Sequence, residues 1–319
     1  MVAKIWIADK MAADAAKILE AHSATTVDVS PGLSVDEQIE HIKGMDGLII
    51  RSATKLKGEL LEAADSLKLV IRAGIGVDNI DIPRCTEKGI LVENTPHGNA
   101  TSAAEHAIAL MFSLARHIPQ ANESTRAGKW EKSLFQGVEL TGKTLAVIGT
   151  GNIGGIVCRK AIGIGMKVIA FDPFLTDERA AELGVEKVEL EALWPRADFI
   201  SLHVPLIDST KNVVNELSIS KMKKGVRIIN ASRGGTVDEE ALARGLDSGH
   251  VAGAALDVFE EEPIRQDHPL LGRTDVVLTP HLGASTSDAQ IQVGIDAAKQ
   301  MVAFFAEGQR INHLNEPTA

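Results

Sequence analysis

Two hydrophobic periods alternate along residues 1–97. KIWIAD, TTVDV, GLIIRS, LKLVIRAG and GILVENT are near-continuous apolar runs and predict strands buried on both faces. DAAKILEAH, SVDEQIEHI and KGELLEAAD space their apolar residues three and four apart and predict helices between those strands. Such βα alternation predicts a mostly parallel sheet. NATSAAEHAIALMFSLARHIP then predicts one long helix, capped by Asn99 or Thr101 and ended at Pro119. HIPQANESTRAGKWEKSLFQGVELTG predicts a polar connector with a helical start. From Lys143 a second series begins, with KTLAVIGTG, MKVIAFDP, FISLHVP, VRIINAS, VAGAALDV and VVLTPH as six strands. The fold class expected is α/β, with two Rossmann-like doubly wound domains.

The last amphipathic stretch, STSDAQIQVGIDAAKQMVAFFAEG, follows the completed second series and has no strand of its own to cover. It is expected to return to the first domain, which is then discontinuous: residues 1–98 and 286–319, with 99–285 as the second domain. The final QRINHLNEPTA is polar and expected to be a partly ordered tail.

Composition narrows the function. With 319 residues there is room for about two domains. No apolar run approaches the roughly 20 residues that span a bilayer, and the start lacks a leader pattern, so a cytoplasmic protein without membrane association is expected. The two cysteines, Cys85 and Cys158, lie far apart and are expected to be reduced and buried; no metal site is expected. A net charge of −10 argues against nucleic acid as a partner. It also requires a local cluster of cations to draw in any anionic ligand. The chain has no tyrosine, which excludes Tyr/Lys proton-transfer chemistry.

Three strand ends then stand out. Arg233 follows VRIIN, Glu262 follows AGAALDVF and His281 follows DVVLTP. Ligands of open α/β sheets bind beyond the carboxyl ends of the strands, so a cation, an acid and an imidazole can converge there. Histidine titrates near neutrality and suits proton exchange with an alcohol or ketone. A carboxylate on its other nitrogen fixes the tautomer; Glu262 is the candidate, with Glu260 and Glu261 as competitors. Arg233 offers a fork for a carboxylate. Upstream, Gly149, Gly151 and Gly154 form G-x-G-x-x-G between an apolar run and a helix, a cradle for a pyrophosphate at the helix N-terminus. Asp172 ends the next strand, where an acid bonds ribose hydroxyls and repels the additional phosphate of NADP, so NAD is the cofactor expected.

GTGNIGG with Asp172, ASRGGTVDEEAL, GAALDVFEEEP and PHLGAST closely resemble the motifs of the D-2-hydroxyacid dehydrogenase family, in order and over essentially the whole chain. The resemblance implies catalytic roles for Arg233, Glu262 (the acid before Pro263) and His281. It implies a cofactor site that includes Asn152, Ile153, His203, Val204, Pro205, Ala231, Ser232, Arg233, Asp257, His281, Gly283 and Ala284 beside the glycines. It also implies helices near 101–118 and 285–305 that bridge two domains closing over the substrate, and a homodimer or higher homo-oligomer built near 119–141.

Within the family, IIRSATKL, VIRAGIGVDNID and ENTPHGNATSAAEHAIAL are most similar to members acting on D-3-phosphoglycerate in serine biosynthesis. That similarity implies Arg51 and Arg72 near the substrate phosphate, Gly74, Ile75 and Gly76 presenting backbone N–H groups to its carboxylate, and Lys132 adding a cation, from this chain or a partner subunit. Ile75 and the HVP at 203–205 depart from residues that many relatives carry. The alternatives are the same chemistry on hydroxypyruvate, glyoxylate or another 2-hydroxy acid, and an NAD(H)-sensing interaction protein like the family's corepressors. His106 is expected to be structural, and His97 to lie in a loop near ligand. Serine inhibition through an additional regulatory domain is not expected.

Overall fold

The computed structural model describes residues 2–317 and divides into two compact units. Unit 1 gathers the chain up to Ala100 and from Ala284 onward; unit 2 is Thr101–Gly283.

Unit 1 holds β1 (Ala3–Ile7), α1 (Ala13–Glu20), β2 (Thr25–Val29), α2 (Val35–His41), β3 (Gly47–Ile50), α3 (Gly58–Ala63), β4 (Leu69–Arg72), α4 (Ile82–Glu87) and β5 (Leu91–Asn94). All five strands are parallel, in the order β2-β1-β3-β4-β5. This is one of the two common doubly wound orders. Trp6, Leu48, Val70 and Val92 face one apolar layer and Ile5, Ile49, Ile71 and Leu91 the other, so the strands read as unbroken apolar runs. α4 was not anticipated: IPRCTE is too short and polar to show a period, and the helix is set by the Asp81 cap on the Arg84 N–H.

Unit 2 takes in α5 (Ala100–Arg116), all but its first residue, followed by α6 (Ile118–Arg126) and a short 3₁₀ turn at Lys132–Phe135. Pro119 does not end the long helix. The break falls at His117, in the left-handed region at φ 52°, and Pro119 sits in the first turn of α6, where its missing N–H costs nothing. Asn99 precedes α5, but its Oδ1 has no hydrogen-bond partner among the described residues, and Thr101 is already helical.

The sheet of unit 2 is built from β6 (Thr144–Ile148), β7 (Lys167–Phe171), β8 (Glu186–Lys187), β9 (Phe199–Leu202), β10 (Val226–Asn230), β11 (Val251–Leu256) and β12 (Val276–Leu278). Between them run α7 (Asn152–Gly163), α8 (Asp177–Leu183), α9 (Leu190–Leu193), α10 (Glu216–Lys221) and α11 (Glu239–Asp247). The order β12-β11-β10-β9-β6-β7-β8 is wholly parallel and reverses between β6 and β9. The sheet has one strand more than the sequence indicated. β8 is two exposed charged residues without apolar signal, held by pairing to Ile169 and Ala170 of β7.

α12 (Ser287–Glu307) lies in unit 1, with Val293, Ala297, Ala298 and Met301 against Ala15 and Leu19 of α1. The segment after α12 is not a loose tail through residue 317. His313 bridges antiparallel to Glu93, the Leu314 N–H donates to Val92 O at 2.9 Å, and Asn315 donates to Ile90 O at 2.9 Å. Thr318 and Ala319, the end of the expected tail, lie outside the described residues.

Candidate active site

Every candidate of unit 2 except Lys132 lies at the carboxyl end of a strand, on the loop that follows or, for Asn152, Ile153 and Gly154, in the first turn of α7. The glycine turn joins β6 to α7, and Gly149 takes φ 91°, open to glycine without strain. A Cβ on Gly154 would fall 1.9 Å from Gly149 O, so only glycine lets the helix start this close to the strand. Around Gly151, at the N-cap of α7, a Cβ would meet nothing within 4 Å, leaving room for a phosphate at the N-terminus of the helix. Asp172 follows β7; its Oδ2 accepts from the Thr150 N–H at 2.7 Å and its Oδ1 from the Phe174 N–H at 2.9 Å. The acid therefore braces the turn it faces.

Across the reversal in strand order, His203, Val204 and Pro205 follow β9, and His203 O closes on Gly149. His203 Nε2 meets Ser201 Oγ at 2.8 Å. Burial pushes this imidazole down to about 4, so it is neutral around pH 7. The turn, the strand-end acid and the open helix start fit a dinucleotide.

Ala231, Ser232 and Arg233 follow β10. Ser232 is anchored to Asn230, and Arg233 Nη1 donates to Ser232 O at 2.6 Å. After β11, Glu262 occupies the loop before a cis Pro263. His281 follows β12. Its Nδ1 lies 2.6 Å from Glu262 Oε2, while Glu262 Oε1 accepts from the Phe259 N–H at 3.1 Å. Burial alone would raise the Glu262 carboxyl, but the bonds from His281 and Phe259 and the charge of Arg233 hold it below the usual carboxylate range. The competition among three acids resolves on geometry: the Glu261 carboxylate faces Arg265 at 3.7 Å, and only Glu262 bonds His281.

His281 has φ 54°, a left-handed conformation that costs a non-glycine residue free energy and is kept where surrounding bonds over-determine it. Those bonds come from Asp257, which is fully buried. Its carboxylate accepts from the Leu282 N–H at 2.7 Å, the Gly283 N–H at 2.8 Å and Thr279 Oγ1 at 2.6 Å, and meets His106 Nε2 at 3.1 Å. Burial pushes the Asp257 carboxyl up; the bonds from His106, Thr279 and Leu282 outweigh that and hold it low. Thr279 and the tie from His106 to this turn had no signal in the sequence, because the partners are remote in the chain.

Unit 1 carries the other candidates, also at strand ends. The Arg51 N–H donates to Asp9 Oδ2 at 2.6 Å and its Nη1 to Lys10 O at 3.1 Å. Arg72 ends β4 and folds over Gly74, and Ile75 O accepts from Asn94 Nδ2 at 2.7 Å, which fixes the Gly74–Gly76 turn. Lys132 stands on the exposed 3₁₀ turn, in a groove bordered by Arg116, Trp130 and Phe135 that none of the strand-end residues lines. Ala284 begins the second segment of unit 1.

A parallel sheet with reversed strand order, a glycine turn at that reversal and an acid ending the next strand define a dinucleotide-binding protein of the Rossmann class. Residues 108–283 match the family described as D-isomer specific 2-hydroxyacid dehydrogenase, NAD binding domain, and the chain belongs to that family. Its cofactor is NAD. D-3-phosphoglycerate dehydrogenase of Synechocystis sp. is 46% identical over 94% of this chain and 54% of its own length. The chain thus spans about half the length of that curated relative. Among solved structures, a glyoxylate reductase from Paecilomyes thermophila superposes with a TM-score of 0.89 at 29% identity over 98% of both chains. The NAD+-bound 3-phosphoglycerate dehydrogenase of Entamoeba histolytica gives 0.83 at 31% identity over 99% of both.

Proposed function

We propose that this chain interconverts D-3-phosphoglycerate and 3-phosphohydroxypyruvate with NAD, at the entry to serine biosynthesis. The observation that carries the chemistry is the 2.6 Å bond between His281 Nδ1 and Glu262 Oε2. An ionised Glu262 only accepts, so Nδ1 carries the proton and Nε2 keeps its lone pair. In the oxidative direction His281 Nε2 takes the C2 hydroxyl proton as the C–H pair leaves as hydride; in reverse the imidazolium returns it to the ketone oxygen. NAD, when bound, supplies the hydride acceptor. Glu262 stabilises the imidazolium, and Arg233 holds the substrate carboxylate in a two-pronged grip.

Similarity to D-3-phosphoglycerate dehydrogenases supports the choice of substrate. Arg51 and Arg72 supply cations for its phosphate, the Gly74–Ile75–Gly76 backbone supplies N–H donors, and Lys132 adds a further cation. The cofactor is held by the glycine turn through Gly154, by Asp172 on the ribose, and by the strand-end residues from His203 to Ala284 named above. A homodimer in the cytoplasm completes the proposal. The exposed Trp130 and Leu134 offer it an apolar surface, and the buried free thiols Cys85 and Cys158 suit a reducing compartment.

A second reading, turnover of an unphosphorylated 2-keto acid, is favoured by the likeness to the glyoxylate reductase. NADH oxidation with phosphohydroxypyruvate, hydroxypyruvate and glyoxylate run side by side separates the two. Strong preference for the phosphorylated acid is expected; equal or better turnover of the others reassigns the substrate.

A further inference from the structure

The loop carrying Glu262 is fastened to the first turn of α11 by a buried pair that the proposed chemistry does not use. Glu239 and His268 are both 8% exposed. His268 Nδ1 accepts from the Leu270 N–H at 3.3 Å, so the proton sits on Nε2, which donates to Glu239 Oε2 at 2.6 Å. Glu239 Oε1 accepts from the Glu260 N–H at 2.9 Å. Both carboxylate oxygens are thus spent on the 259–270 loop. The helix does not need them, because Asp238 already caps it on the Ala241 N–H at 2.9 Å. The same loop is braced from β10: a Cβ on Gly234, beside Arg233, would fall 1.7 Å from Phe259 O. One residue of that tight stretch, Phe259, donates to Glu262 itself.

We propose that Glu239 and His268 are positioning residues, which fix the Phe259–Glu262 turn so that the Glu262 carboxylate meets His281 and Arg233 in working geometry. This rests on the catalytic reading of Glu262 and His281 above. The charged groups around the pair are Asp238, Glu240, Glu260, Glu261 and Arg265; those facing Glu262 are His281 and Arg233. A buried carboxylate facing its neighbours with two satisfied bonds is costly to disturb, because breaking either strands a polar group.

Glu239→Gln keeps the shape but turns an NH₂ toward either His268 Nε2–H or the Glu260 N–H, so one bond is lost. Kcat is expected to fall about 10²-fold, as for a small misplacement of a reacting group. The affinity for NADH is expected to stay, and the acid limb of the pH–rate profile to move to higher pH as Glu262 loses its hold. Added to Glu262→Gln, the same change is expected to cost nothing more. His268→Gln, which keeps a donor near Nε2, is expected to retain turnover, and His268→Leu to lose it. Additive losses in the double variant, or an unmoved acid limb, overturn the proposal. Titration of the Glu262 carboxyl by ¹³C NMR reads the positioning without any substrate. If no 2-keto acid is turned over, an upward shift in Glu239→Gln still supports the clamp, and an unmoved carboxyl refutes it.

Discussion

Nδ1 of His281 can serve only one partner, and Glu262 takes it at 2.6 Å. That leaves Nε2 as the working atom. His281→Ala is expected to lower kcat by about 10²- to 10⁴-fold, the usual contribution of a positioned acid–base group, and to weaken NADH binding, read by quenching of protein fluorescence, far less than it slows turnover. The depressed Glu262 carboxyl sets a second expectation. Its ionised form persists below the usual carboxylate range, so activity that needs it is full above that range and falls as the pH drops through the depressed pKa. Glu262→Gln should abolish that acid limb as well as slow turnover, and a limb that stays in place would assign it elsewhere. Asp172 tests cofactor choice. Its oxygens brace Thr150 and Phe174, so its charge is fixed where a 2′-phosphate would approach. Asp172→Asn is expected to raise the ratio of kcat/KM with NADPH to that with NADH by roughly tenfold or more, since one relieved repulsion is worth about 1.4 kcal/mol or more. An unchanged ratio would remove Asp172 from that role.

Elements bring these groups together, because parallel strands deliver their carboxyl ends to one edge. Glu93 shows the same sheet logic where no chemistry is involved. It lies on β5 in the layer beneath α12, fully buried, with Oε1 accepting from the Ile311 N–H at 2.8 Å. Burial pushes its carboxyl up to about 7, against a weaker pull from the Ile311 bond. A raised carboxyl favours the fold fully below the unfolded pKa, and that contribution is lost as the pH rises through about 7. Glu93→Gln keeps the acceptor for Ile311 and removes the charge. Its thermal stability should match the parent near pH 4 and exceed it above neutrality by up to about 3 kcal/mol. A gap independent of pH would refute a neutral Glu93. This contact is also where sequence reading failed. The strands of unit 1 and the longer ones of unit 2 were legible because burial on both faces leaves a continuous apolar run. The order of residues 309–317 was not, since it depends on a buried acid more than two hundred positions away. β8 and α4 were illegible because pairing and a cap make them, not periodicity. The strand-end trio was legible as residue types in the right places, whereas the Asp257 and Glu239 networks rest on partners that only the fold assembles.

At the scale of the whole molecule, the connector of unit 2 presents apolar surface to water. Trp130 is 87% exposed, Leu134 67% and Ile118 50%, all on the segment after α5. A tryptophan buries roughly 150–250 Å² when covered, worth several kcal/mol at about 25 cal/mol per Å². Exposed to water, that surface contributes nothing to a monomer's stability. A homodimer that covers it gains the same burial twice, once from each copy, because a two-fold interface uses one patch on both subunits. Trp130→Asp with Leu134→Asp places two charges per subunit into that surface and removes its apolar gain. Sedimentation velocity at micromolar concentration is expected to give a dimer for the parent and a monomer for the double variant, with the NADH affinity of unit 2 retained because the glycine turn lies on other elements. A parent that sediments as a monomer ends the dimer proposal. A double variant that stays dimeric moves the interface off this segment, and with it any claim that Lys132 reaches the site of a partner.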